Sequence, residues 1–127
     1  MTGLSPEADA GLRELLKRCS TATLAAAREF RRTGDTEQLP VIVRGIIERC
    51  APSEMQERLK KSGDGLRLVQ DLGIDSLAMM EMVLLLEEVL EISINIEELR
   101  PVRTLGDVTR FIEHKVGAGL LLGRRMF

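Results

Sequence analysis

Residues 76–90, SLAMMEMVLLLEEVL, contain neither glycine nor proline, and their apolar side chains exceed a single helical stripe. No other segment constrains the chain as strongly. A helix this apolar must be buried along part of its length and must find partners for what remains. By helical spacing Met82, Val83, Leu86 and Leu90 form one stripe, which we assign to the core. Leu77, Met80 and Leu84 form a second, which either packs on a neighbouring helix or faces a partner. The core has to be aliphatic, because the chain has no Trp, no Tyr and only three Phe in 127 residues. Few β-branched residues alternate with polar ones. These features together predict an all-α fold.

Helix signals continue on either side. Ser5-Pro6-Glu7 reads as an N-cap, a proline at the first helical position and an acid in the first turn. Leu12, Leu15, Leu16, Cys19, Thr23, Ala27 and Phe30 then recur at helical spacing, which predicts one helix over about 6–32, with Gly34 as its C-cap. Thr36 is expected to cap a second helix through Cys50, with Val43, Ile46 and Ile47 inward and Pro40 in its first turn. PSEMQERLKK, from Pro52, predicts a short amphipathic helix, and SGDG (62–65) a loop. Leu66, Leu68, Val69 and Leu72 are expected to tether that loop to the core. NIEEL (95–99) fits one turn, stopped by Pro101. Thr104 caps a last helix to about Val116, with Leu105, Val108, Phe111 and Ile112 inward. GAGLLLGRRMF, from 117 on, is a glycine-punctuated tail.

Net charge is −2, but residues 71–100 hold eight acids against Arg100 alone. Such a patch repels nucleic acid and attracts basic protein surfaces. Two cysteines, Cys19 and Cys50, make neither a CxxC nor a disulfide framework and suit a reducing cytoplasm. No basic-then-apolar start suggests a secretory signal, and no apolar run reaches the ~18 residues of a membrane span.

Within DLGIDSL (71–77) the residue with chemical potential is Ser76. A hydrolase nucleophile needs a base and often a G-x-S-x-G elbow. Here Ile74 and Ala78 flank the serine, and the one histidine, His114, lies between Glu113 and Lys115 on an expected surface helix. No metal-ligand spacing, P-loop or dinucleotide fingerprint is present. The chain is therefore not expected to be an enzyme. Asp75 can cap the helix that starts at Ser76. A serine at that place has a second use: its hydroxyl is exposed and the helix end favours an attached phosphate.

Here the sequence resembles the acyl carrier proteins. The stretch VQDLGIDSLAMMEMVLLLEEVLEISINIEEL is similar to their modification motif with its helix and following turn. VRTLGDVTRFI is similar to their last helix, and the likeness covers about residues 37–116. The resemblance implies an antiparallel helical bundle of acyl-carrier type, with an additional N-terminal helix. It implies 4′-phosphopantetheine on Ser76, flanked by Asp75 and Leu77, and a loop anchored by Leu68 and Val69. It implies docking through Asp71, Met80, Glu81, Leu84, Glu87 and Glu88, with Glu91 in the wider face. The implied partners are a phosphopantetheinyl transferase, then ketosynthases, acyltransferases or other acyl-processing enzymes of fatty-acid, polyketide-like or specialised lipid synthesis. An aminoacyl or peptidyl carrier, or a helical adaptor in which Ser76 is only a cap, are the alternatives. Three differences from the family stand out. Residues 1–35 have no counterpart in its minimal fold, Ala78 stands where an acid is frequent, and Met79, Met80 and Met82 enrich one helix in methionine. The expected organisation is an N-terminal extension (1–35), a carrier domain (36–116) and a tail (117–127).

Overall fold

The structure is a computed structural model that describes residues 4–61 and 63–121, with side chains described as far as 118. Six α-helices make up most of it: α1 (Pro6–Leu15), α2 (Thr21–Thr33), α3 (Leu39–Cys50), α4 (Gln56–Lys61), α5 (Ser76–Leu90) and α6 (Leu105–Leu121). Short 3₁₀ turns at Thr36–Gln38, Ser53–Met55 and Ile96–Leu99 connect them. The all-α expectation holds. Residues 122–127 of the tail lie outside the described residues.

The single N-terminal helix expected from periodicity is instead a hairpin. Leu16 ends α1, and Ser20 starts α2 by accepting the Thr23 N–H on its hydroxyl at 3.2 Å. An unbroken helix over 6–33 would be about 42 Å long and would carry Leu12 and Phe30 far apart. Folding back brings both, fully buried, into one core. Asp9 of α1 receives the Arg28 guanidinium of α2 at 2.6 and 3.2 Å, which ties the two arms. Gly34, at φ 77°, ends α2 as expected. Asp35, not Thr36, caps the Thr36–Gln38 turn, accepting the Glu37 N–H at 3.0 Å. Thr36 is the first residue of that 3₁₀ turn, and α3 begins at Leu39.

One core unites the hairpin with the rest. Leu12, Leu16, Ala27 and Phe30 belong to the same buried cluster as Ile42, Ile46 and Ile47 of α3, Met82, Leu86 and Leu90 of α5, and Val108 and Ile112 of α6. Thr23 of α2 lies directly against Gly45 of α3. At the far end of α2, Arg31 donates to the Val89 and Glu88 carbonyls at 2.9 and 2.7 Å. The last turn of α5 has acids and no base of its own. A guanidinium on its free carbonyls therefore offsets the negative helix end.

The start of α6 is a reciprocal cap. Thr104 Oγ1 accepts the Asp107 N–H, and Asp107 Oδ2 accepts the N–H groups of Arg103 and Thr104 at 3.0 and 3.1 Å. α6 continues to Leu121, past Val116, because nothing between them interrupts a helix strongly enough. The two backbone bonds, with help from Arg110, pull the Asp107 carboxyl from the ordinary 3.8 to about 2. A depressed carboxyl contributes stability above its ordinary value and loses it as pH falls through the folded one. Asp107→Asn should therefore flatten the stability loss between about pH 4 and pH 2, measured as urea midpoints across that range. An equally steep loss in the variant would reject this assignment.

Candidate functional site

Ser76 sits where a pinned loop becomes α5. The loop is stitched to the beginning of α6 by three backbone bonds. Leu68 N–H meets the Arg103 carbonyl at 2.8 Å, Leu105 N–H meets that of Leu66 at 2.9 Å, and Gly106 N–H meets that of Asp64 at 2.9 Å. Arg67 and Thr104 form a bridge there. Next comes a compact turn, in which Asp71 and Leu72 donate to the Arg67 carbonyl, Gly73 to that of Val69 and Ile74 to that of Leu68. Gly73 adopts φ 67°, a left-handed conformation that costs other residues roughly 1 kcal/mol. Leu68, Leu72 and Ile74 are fully buried. Val69, expected to share the anchoring with Leu68, is 58% exposed. The bridge turns Leu68 inward and the turn carries its neighbour outward; Leu72 lies inward as expected, and Ile74 joins it in place of Val69.

Asp75 completes the delivery. Its carboxylate accepts the Ala78 N–H at 2.8 Å, and its carbonyl accepts that of Met79 at 2.9 Å. Ser76 is the first helical residue and is exposed. First-turn N–H groups of a helix have no partner within it. An anion on the Ser76 oxygen would meet that positive end, so the residues present suit a phosphodiester there. The one histidine, His114, is exposed on α6. Among the described residues no group of three His, Cys, Asp or Glu could hold a metal ion. Cys19 and Cys50 are half-buried free thiols, and burial pushes Cys19 up to about 11, away from the thiolate.

The two stripes of α5 separate as expected. Met82, Val83, Leu86 and Leu90 are buried, whereas Leu77, Met80 and Leu84 are 72%, 46% and 52% exposed. The acids divide too. Glu81, Glu88 and Glu91 are exposed. Glu87 is half-buried and accepts the Ile94 N–H at 2.8 Å, which fastens the turn after α5. Asp71 is likewise engaged, by Arg67 at 3.2 and 3.3 Å through the side chain and at 2.8 Å through the backbone. These attachments lower its carboxyl below the usual range. The Arg67–Asp71 pairing has no sequence signal beyond opposite charge four residues apart, and the Glu87 and Arg31 contacts, both with backbone groups, have none at all.

The site is thus an exposed serine at a helix start, beside a helix face that is both apolar and acidic. The family model described as a phosphopantetheine attachment site matches residues 57–112. An acyl carrier protein of Wolinella succinogenes is 44% identical over 62 residues, 49% of this chain and 72% of that protein. Another, of Exiguobacterium sibiricum, is 37% identical over 81 residues, 63% of this chain and 96% of that protein. A third, of a Sulfurovum species, is 38% identical over 71 residues, 54% and 85% respectively. No solved structure matches. The chain belongs to the acyl carrier protein family: it carries acyl groups as thioesters on a covalent 4′-phosphopantetheine. No helix among the described residues is long and apolar enough to cross a membrane.

Proposed function

We propose that Ser76 is the residue that bears the 4′-phosphopantetheine arm, with Asp75 and Leu77 framing it. One observation carries this reading: Ser76 is exposed at the first position of α5, held there by an anchored turn and an Asp75 cap. A phosphopantetheinyl transferase supplies the chemistry. The Ser76 oxygen forms a bond to the phosphorus next to pantetheine in coenzyme A, the pyrophosphate bond breaks, and 3′,5′-ADP leaves. The hydroxyl proton passes to a base of the transferase. When bound, the arm supplies a terminal thiol that holds the acyl group, and its flexible tether raises the local concentration of that group at each partner.

Leu77, Met80 and Leu84 with Glu81 and Glu88 form the docking face in this reading. Rim charges of this kind set association rate and partner choice more than affinity, which suits a shuttle between ketosynthases, acyltransferases and related enzymes. Glu87 and Asp71 support that face through their internal bonds. The free thiols favour a reducing compartment, the cytoplasm. Fatty-acid, polyketide-like and specialised lipid synthesis are the settings in which such a carrier acts. The carrier unit spans 36–116, and residues 1–35, which include the α1–α2 hairpin, act as a packing extension over its apolar face.

Incubation of full-length protein with coenzyme A, Mg²⁺ and a broad-specificity transferase, followed by intact mass, tests the assignment. Wild type should gain the mass of one arm and Ser76→Ala none. No gain on wild type, or equal gain on the variant, would refute it.

A further inference from the structure

On sequence Asp71 reads as a docking acid, but in the fold it is half of a reciprocal clamp. Its Oδ2 accepts the Arg67 backbone N–H at 2.8 Å and the Arg67 Nε–H at 3.2 Å, and its Oδ1 accepts an Nη2–H at 3.3 Å. In return the Arg67 carbonyl accepts the Asp71 and Leu72 N–H groups at 3.0 and 3.1 Å. Each residue therefore holds the other by main chain and side chain. The clamp is also a junction. Arg67 pairs with Thr104 at the start of α6, and Arg58 of α4 donates to the Asp71 carbonyl at 3.2 Å. Downstream, the turn runs through Gly73 and the buried Ile74 straight to Asp75 and Ser76.

We infer that Arg67 and Asp71 are positioning residues for the modification of Ser76, their clamp holding the 67–74 turn in the shape that presents the serine to the transferase. The inference rests on Ser76 being the attachment residue. An isolated exposed ion pair contributes little. This one is stronger because its carboxylate also takes a backbone N–H, and charge-assisted hydrogen bonds are roughly twice as strong as neutral ones. Misplacement of a reacting oxygen slows its reaction even where binding is intact.

A docking role and a positioning role for Asp71 make opposite statements about Arg67. If the Asp71 charge met a basic transferase, Arg67 would compete for it, and removing Arg67 would speed modification. If the pair positions Ser76, removing either partner slows modification alike, and removing both adds little, because the two act as a unit.

Initial rates with coenzyme A and a broad-specificity transferase decide between these, on full-length apo wild type, Arg67→Ala, Asp71→Asn, the double variant and Arg67→Lys, at low and high salt. Each single change should lower kcat/KM by roughly threefold to tenfold, mainly in kcat and at both salt concentrations. The double variant should match the worse single one, and Arg67→Lys should recover part of the loss. Amide exchange at Gly73 and Ile74 should quicken in both single variants while the core amides stay protected. Should Asp71→Asn fail to fold, Arg67→Ala and Arg67→Lys carry the comparison. Unimpaired or faster modification of Arg67→Ala overturns the inference, as does an Asp71→Asn defect confined to KM and erased by salt. An unmodified wild type overturns the attachment reading as well, whereas a modified wild type with unimpaired variants overturns the positioning role alone.

Discussion

Phe30→Ala should lower folding stability by about 3–5 kcal/mol, in urea unfolding followed by far-ultraviolet circular dichroism. Phe30 is fully buried and among the largest side chains in the core. It lies on α2, outside the residues 57–112 that the family model matches, so its cost measures how far the hairpin belongs to the core. Small domains have only about 5–15 kcal/mol in hand, so the variant should lose a large share of its stability. The loss should come as one cooperative transition, since Phe30 shares a cluster with residues of α3, α5 and α6. A loss below about 1 kcal/mol, or a separate early transition, would mean that the hairpin rests on the bundle without sharing its core.

Gly45→Val should be the next most damaging change, at about 3 kcal/mol. A Cβ on Gly45 would run into the Oγ1, Cγ2 and Cβ atoms of Thr23. Thr23 cannot swing aside freely: it is 2% exposed, and its hydroxyl is 3.0 Å from that of Ser20. The better helix propensity of any residue over glycine returns less than about 1 kcal/mol, too little to offset the overlap. Thr23→Ala in the same molecule should relieve part of the clash, so the double variant should be more stable than the sum of the two single losses implies. Strict additivity in that cycle would show that the α2–α3 crossing is not set by this contact.

The pattern of local periodicity explains which features are legible in the sequence. The core stripe of α5, its exposed strip, the caps at Ser5, Asp75 and Thr104, and the turn at 95–99 are written within single segments, and the structure has them. The break at Leu16 is hidden because apolar spacing continues through it. The Ser20-to-Thr23 cap is the available signal, outweighed by the helical rhythm around it. Val69 resembles an anchor because it is apolar beside another anchor, but direction within a turn follows backbone geometry and not residue type. α6 runs past Val116 to Leu121, the last described residue, because Gly117 costs a helix about 1 kcal/mol, which is too little to stop it. At the candidate site the serine and its cap are readable from one motif. The Arg67–Asp71 clamp and the Glu87 bond to Ile94 are not, since each needs an irregular turn to bring a carboxylate onto a backbone N–H, and the Arg31 contact is not, since it depends on how separate helices meet.

The Arg31 contact also bears on the order in which the molecule can assemble. Its two hydrogen bonds join residues 57 and 58 positions apart. Contacts of that span form only after a long loop has closed, and they slow folding relative to local ones. The last turn of α5 gathers like charges at its negative end and borrows its cation from a helix made much earlier. It should therefore be among the late parts of the fold to settle, whereas the cap at Ser76 needs nothing beyond its own neighbours.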